Sequence, residues 1–223
     1  MIKNDSVIIL PIGAVEEHGS HLPLSTDSIQ PLYVAERAAK ITGALIAPLI
    51  PYGICNTTKD YPGTLSLTFE AMRLTVRDIL TELVRNGFRK IIVLSGHAGK
   101  DHMSALRIAS RDVVEKEDVL IAVLSDYDII YEKNLLPEDD GHAGMGETSR
   151  VMAERPDLVK DRPKRGKGTW PKYLIIPNSK QYWSGYVGDP SKASANFGNK
   201  LDKYIVTELV KIIQDMQKRQ VRN

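Results

Sequence analysis

The stretch Lys90-Ile91-Ile92-Val93-Leu94-Ser95-Gly96-His97-Ala98-Gly99 sets the reading of the fold. Four consecutive apolar residues after a lysine are the pattern of a strand buried on both faces, as inside a parallel sheet. The run stops at small residues around His97, and helical spacing follows from about Lys100 to Glu115. Val119-Leu120-Ile121-Ala122-Val123-Leu124 then reads as another buried strand. Upstream, Val7-Ile8-Ile9-Leu10 is a strand, and Ser28 to Ile41 is a helix with Ile29, Tyr33, Val34, Ala38 and Ile41 near one face. Ala44-Leu45-Ile46-Ala47-Pro48-Leu49 is a short strand, and Thr68 to Asn86 is a helix whose stripe is Met72, Val76, Ile79, Leu80 and Leu83, stopped at Gly87. Strand, loop and helix alternating in this way predict an α/β fold with a largely parallel sheet.

The second half is less regular. Asp139 to Ser149 is glycine-rich and enters a helix that ends before Pro156. Pro156 to Lys180 is an irregular excursion with a basic run, Lys160, Arg162, Lys164, Arg165 and Lys167, read as a solvated loop, or alternatively as a contact for a substrate phosphate. Gly185 to Pro190 reads as a loop, and Ser194 to Lys218 as a closing helix with Leu201, Ile205, Leu209, Ile212 and Met216 in its stripe. No repeat or linker divides the chain, so residues 1–223 are expected to form one domain. Thirty basic residues against 28 acidic ones give a net charge of +2, which argues against a nucleic-acid partner. A lone cysteine, Cys55, excludes an intrachain disulfide framework. The opening residues lack a signal-peptide layout, and no apolar run nears the roughly 20 residues of a membrane helix. The expectation is a soluble cytoplasmic protein with no membrane partner.

Chemistry concentrates in three loops. Pro11 to Asp27 supplies two imidazoles, His18 and His21, and three carboxylates, Glu16, Glu17 and Asp27, just past a buried strand. That mixture suits Zn²⁺, Mn²⁺ or Fe²⁺, and a carboxylate such as Asp27 can bridge two ions. All five histidines, His18, His21, His97, His102 and His142, lie in or beside glycine-containing loops. Loops leaving the C-terminal ends of parallel strands form sites, so these are expected to converge. His18 and His97 are candidate ligands with Glu16 and Asp27; His21 is a supporting residue, and His102, inside a helix pattern, a structural one. For Asp27 the competing role is to cap the helix that follows.

Glu16-Glu17-His18-Gly19-Ser20-His21-Leu22-Pro23-Leu24-Ser25-Thr26-Asp27 resembles the motif E-x-H-G-x-H-L-P-x-x-x-D of the creatininase (creatinine amidohydrolase) family. The likeness continues through Tyr61-Pro62-Gly63-Thr64, Ser95-Gly96-His97-Ala98-Gly99, His142-Ala143-Gly144 with Glu147-Thr148-Ser149, and Gly188-Asp189-Pro190. The resemblance implies a three-layer αβα sandwich and a two-metal hydrolase of carbon–nitrogen bonds other than peptide bonds. By motif position, Glu16, His18, Asp27 and His97 would be metal ligands, with Asp27 bridging. Creatinine-hydrolysing members carry a further glutamate two residues after the equivalent of His97, where this chain has Gly99. Glu147 is the carboxylate expected in its stead; its other reading is a first-turn carboxylate at the positive end of a helix dipole. Thr58 stands where many relatives have a histidine, and Trp170 and Trp183 are candidates for an aromatic lid.

The implied cofactors are two divalent metal ions (Zn, Mn or Fe), and the implied reaction is attack of a metal-bridging hydroxide on an amide or cyclic amide of a small molecule. His142 is the candidate for proton transfer to the leaving nitrogen, with Glu17 as a further candidate or as a residue facing solvent or another subunit. Family alternatives are deformylation of a formylaminopyrimidine nucleotide and cleavage at a peptide terminus. A rival of another class is a catalytically silent scaffold whose metals only stitch the loops together. The resemblance also implies a homo-oligomer, often a hexamer.

Overall fold

A computed structural model describes residues 6–164, 166–168, 175–176 and 178–221. Four strands, β1 (Ile8–Ile12), β2 (Leu45–Ile46), β3 (Lys90–Ser95) and β4 (Leu120–Ser125), form one sheet in the order β2-β1-β3-β4, every pair parallel. Side chains alternate across a strand, and both faces of this sheet are apolar. Ile8, Leu10, Ile12, Ile91 and Val93 face one core with Met72, Val76 and Leu80 of α2 (Phe69–Arg85) and Leu106 of α3 (Lys100–Val114). Val7, Ile9, Ile92 and Leu94 face the other, built by Val34 and Ala38 of α1 (Thr26–Thr42), Ile130 of α4 (Asp126–Glu132) and Leu201, Ile205 and Leu209 of α6 (Ala195–Lys218). Helices on both faces make the three-layer αβα sandwich. A further helix, α5 (Met145–Glu154), packs on α6 and α1.

The register puts the site-bearing loops side by side. Ile12 of β1 pairs with Ser95 of β3, so the loops after both strands leave from the same level. The first turn of α1 is driven into that level: a Cβ at Gly13 would lie 2.7 Å from Ser28 Cα, and one at Gly96 would lie 2.2 Å from Asp27 O. Only glycine permits the approach. The helix starts earlier than its apolar pattern indicates, so Ser25 is the N-cap and Asp27 lies inside the first turn, not at the cap.

Two elements differ from the sequence expectation. Asp126–Glu132 is a short helix begun by a capping box on Ser125 and Asp128, and Trp183–Gly188 is a strand, β6, paired antiparallel with β5 (Gly166–Gly168) rather than a loop. Within the excursion, Lys160, Arg162 and Lys164 are exposed, in keeping with a solvated loop. Arg165 and Trp170 lie outside the described residues, as does the side chain of Lys167.

Arg150 of α5 is fully buried between α4 and α6. Its Nη1 meets Asp126 Oδ2 at 2.8 Å, its Nε donates to Asp202 Oδ1 at 2.7 Å, and Glu154 Oε1 lies 3.7 Å from Nε. Burial outweighs the guanidinium charge and holds Glu154 well above the usual carboxylate range, as expected where three carboxyls share one guanidinium. Removing one partner of such a buried set strands the others. Arg150→Leu is expected to cost about 3–5 kcal/mol, read as a fall in the denaturant midpoint.

Candidate metal centre

Each loop is fixed by hydrogen bonds that leave particular atoms facing inward. In the loop after β1, the Glu16 amide donates to Leu24 O (3.0 Å) and the Glu17 amide to Thr64 Oγ1 (2.9 Å). His18 Nδ1 donates to Glu16 O at 3.0 Å, which fixes the tautomer and turns Nε2 inward. After β3, Ser95 Oγ accepts the His97 amide (3.1 Å) and donates to His97 O (2.8 Å). His97 Nε2 donates to Ile54 O at 2.9 Å, turning its Nδ1 inward. His102 accepts the Ile54 amide at Nδ1 (3.3 Å) and reaches Ser95 Oγ through Nε2 (3.1 Å), so it braces both loops and is structural.

The inward atoms meet around Asp27, which is 2% exposed. Its Oδ1 lies 3.1 Å from His18 Nε2, and its Oδ2 lies 3.3 Å from His97 Nδ1. Glu147 Oε2 comes within 3.5 Å of His18 Nε2, and Glu16 Oε2 within 2.8 Å of His97 Nδ1. The cluster therefore has two halves: His18, Asp27 and Glu147, and Glu16, Asp27 and His97. Glu147 stands in the first turn of α5, its Oε2 accepting the Ala143 amide at 2.5 Å. Gln30 Nε2 donates to Glu147 O (3.1 Å), and His21 Nε2 pairs with Thr148 Oγ1 (2.9 Å), tying α5 to the opening loop. A Cβ at Gly99 would stand 2.5 Å from His97 Nε2, so a side chain there would have to displace the imidazole that Ile54 O holds.

Burial disfavours every charge in the cluster, and neighbours decide the outcome. At His18 burial opposes protonation, but Asp27, Glu147 and Glu16 outweigh it and push the imidazole up to about 10. His97 is raised well above its ordinary value against the same burial, chiefly by Glu16 and Asp27. In return these imidazoles overcome burial at Asp27, which falls well below the carboxylate range, and His97 and His142 do so at Glu16. At Glu147 burial prevails and the carboxyl is raised. Burial also takes His21 down to about 4 and His102 to about 3, keeping both neutral.

His142 donates from Nε2 to Glu17 O (2.5 Å) and points Nδ1 at the cluster, 4.0 Å from Glu16 Oε2. Its ring lies 4.2 Å from that of His18 and 5.2 Å from Trp183, centroid to centroid. At 17% side-chain exposure it is more open than His97 at 10% or His18 at 0%. Glu17 does not face solvent. It is buried, its Oε1 accepts the Gly19 amide at 2.7 Å, its Oε2 has no partner, and burial pushes it up to about 7. Trp183 is buried on β6 beside His142, and Tyr61 donates its hydroxyl to Trp183 O.

Two contributors escaped the sequence reading. Thr58, legible only as a departure from a motif, donates its hydroxyl to Glu16 Oε1, leaving Oε2 for the cluster. Cys55 lies beside Glu16 and His97; its one sequence signal is that the chain has no other cysteine. Burial, and then the charges of Glu16 and Asp27, hold its thiol above the usual range.

The family profile for creatininase, described as creatinine amidohydrolase, matches residues 1–213. Creatinine amidohydrolase of Pseudomonas putida is 33% identical over 196 residues, covering 78% of this chain and 74% of that protein. The mycofactocin precursor peptide peptidase of Mycolicibacterium smegmatis is 28% identical, covering 96% and 85%. A crystal structure of creatinine amidohydrolase superposes with a TM-score of 0.88 at 28% identity, covering 97% of this chain and 92% of that one. Similar structures include a Zn–Zn form of a creatininase mutant (TM-score 0.84, 29% identity, 96% and 92% covered) and a manganese creatininase (0.85, 28%, 96% and 92%). Profile, relatives and fold agree with the loop motifs, and the chain belongs to the creatininase family.

Proposed function

We propose that this chain is a metal-dependent hydrolase of an amide or cyclic amide bond in a small molecule. The observation that carries the reading is a set of buried donors that face only one another. Glu16 Oε2, His18 Nε2 and Asp27 Oδ2 are shielded from solvent and meet only other members of the cluster, His18 Nε2 facing Asp27 Oδ1 at 3.1 Å and His97 Nδ1 shared by Glu16 Oε2 and Asp27 Oδ2 at 2.8 and 3.3 Å, where buried polar atoms ordinarily make hydrogen bonds of their own. These donors are the carboxylate oxygens and imidazole nitrogens that Zn²⁺, Mn²⁺ and Fe²⁺ accept, and the residues fit a pair of such ions. His18, Asp27 and Glu147 would hold one, and Glu16, Asp27 and His97 the other. Divalent cations supply Lewis acidity toward a carbonyl and make water nucleophilic near neutral pH.

The chain's own groups supply the rest. The carbonyls of Glu16 and Ile54 keep the two ligand imidazoles in a single tautomer, and Thr58 keeps one Glu16 oxygen turned inward. His142 is the proton carrier: its Nε2–H is committed to Glu17 O, so Nδ1 is the atom that takes up and delivers a proton on the substrate side. Trp183 lies against the His142 ring, with Tyr61 edge-on behind Trp183. Glu17, buried with one free oxygen, is the second candidate for proton handling. Creatinine, short peptides with a scissile terminus and formamides are the substrates to compare, because the named activities of relatives span a cyclic amide and a peptide.

The deciding experiment strips the protein with a chelator, reloads it with Zn²⁺ or Mn²⁺ and assays that panel. His97→Ala should lose hydrolysis together with one equivalent of metal; full activity in that variant would overturn the site. His142→Ala should keep its metal while turnover falls about 10²–10⁴-fold, as measured by kcat alongside metal analysis. Stability without metal should depend on pH in a set direction. The folded protein holds His18 at about 10 against an ordinary 6.5, so it binds the extra proton between those values. That contribution is complete below pH 6.5 and lost as pH climbs through 10. The denaturant midpoint of chelator-treated protein should therefore fall across this window. Added Zn²⁺, which competes with those protons, should restore more at its upper end.

A further inference from the structure

Cys55 is 1% exposed, yet it belongs to none of the apolar clusters that build the core. Its sulfur, a Glu16 carboxylate oxygen and a His97 ring nitrogen all lie within 4.8 Å of one another. The backbone holds it there from both sides. Ile54 O accepts His97 Nε2 at 2.9 Å, the Cys55 amide donates to Ser66 Oγ at 2.9 Å, and the Thr58 amide reaches Cys55 O at 3.3 Å. The hydroxyl of the same Thr58 is given to Glu16 Oε1. The short segment from Ile54 to Thr58 is thus clipped to His97 at one end and to Glu16 at the other, with the thiol between them.

Two oxygens of this subsite, Glu16 Oε2 and Asp27 Oδ2, are buried and crowd a single imidazole nitrogen, His97 Nδ1, at 2.8 and 3.3 Å, with no hydrogen bond of their own. A thiol is a weak hydrogen-bond donor and a poor remedy for buried carboxylates. Beside a cation it is a strong soft ligand. We infer that Cys55 is a further metal ligand, its sulfur joining Glu16, Asp27 and His97 around one cation while the His18, Asp27 and Glu147 subsite uses nitrogen and oxygen alone. The inference rests on the reading of the cluster as a metal centre. Binding replaces the S–H bond by a sulfur–metal bond and releases the proton to solvent, with no change of oxidation state.

Four protein donors are the complement of a closed zinc site, and three are that of a site with a position to spare. The sulfur-bearing subsite is then the anchoring one, and chemistry falls to the His18 subsite, whose imidazole the His142 ring meets at a tilt, 4.2 Å between centroids. Thiolate ligation also favours Zn²⁺ over Mn²⁺, so the two subsites take different metals from a mixture.

Cobalt substitution tests this. Chelator-treated protein is titrated with Co²⁺, for which thiolate ligation gives an intense near-ultraviolet charge-transfer band, and a Zn²⁺-loaded sample is examined by X-ray absorption. The expected result is a band that follows one of two bound equivalents, with a sulfur shell at about 2.3 Å from zinc. Cys55→Ser should lose band and shell while still binding cobalt. It should also lose the ability to keep one zinc equivalent against a large excess of Mn²⁺. Two bound equivalents with no band in the unaltered protein would overturn the role of Cys55 and leave the metal centre standing. Failure to bind cobalt at all would overturn both. The spectra of the unaltered protein decide the matter if the serine variant does not fold.

Discussion

The structure depends on burying the Asp27 carboxylate. Taking one such charge out of water costs several kcal/mol unless partners compensate, and Glu16 and Glu147 are buried beside it. Compensation comes from two imidazoles, one on each Asp27 oxygen. Each imidazole is useful only if the nitrogen facing the carboxylate is the correct one. That choice is made by the carbonyls of Glu16 and Ile54, which take the proton of the other nitrogen. Two backbone oxygens thus set the polarity of the whole cluster, and the loops that carry them have little freedom to move.

The sheet makes that arrangement reachable. Adjacent parallel strands place Gly13 and Gly96 at one level, and the absence of side chains there lets the first turn of α1 touch both strand ends. Asp27 is delivered by a rigid helix, and the histidines by loops hung from the strands on either side. This is the crevice at the C-terminal edge of a parallel sheet where α/β proteins place ligands, here narrowed until side chains of three segments share one space.

What could be read from the sequence follows from which signals are local. β3 is a near-continuous apolar run because both its faces are covered, whereas β4, expected to be buried, lies half-buried at the sheet edge; α2 and α6 show their stripes because one face is wet. Grouping of every histidine near a glycine-containing loop showed the convergence of the site. β6 was not legible, since Trp183-Ser184-Gly185-Tyr186-Val187-Gly188 carries glycines where a strand would alternate. α4 is too short for a periodic pattern. Arg150, Asp126, Glu154 and Asp202 look like surface charges, and only the packing of α5 on α6 and α1, with the start of α4 meeting Arg150, puts their side chains inside. Thr58 and Cys55 matter through distance alone, which no spacing rule reports.

The buried ionic set around Arg150 acquires a reason from Gly99. Gly99 offers no carboxylate, and the one that joins Asp27 beside His18 comes from another element. Glu147 supplies it from the first turn of α5, a helix of ten residues that crosses outside the sheet. Such a helix needs anchoring beyond the cluster. Arg150, one turn further on, provides it by pairing with Asp126, the first residue of α4, and Asp202 of α6. Its guanidinium carbon lies 5.3 Å from the centroid of the Tyr127 ring. Tyr127 in turn donates to Gln30 Oε1 at 3.1 Å, and Gln30 donates back to Glu147 O. The polar chain from Asp202 to Glu147 therefore couples the core behind α5 to the position of one carboxylate. A buried ion pair is a poor source of stability but a good source of fixed geometry, and here the geometry it fixes belongs to the proposed metal centre.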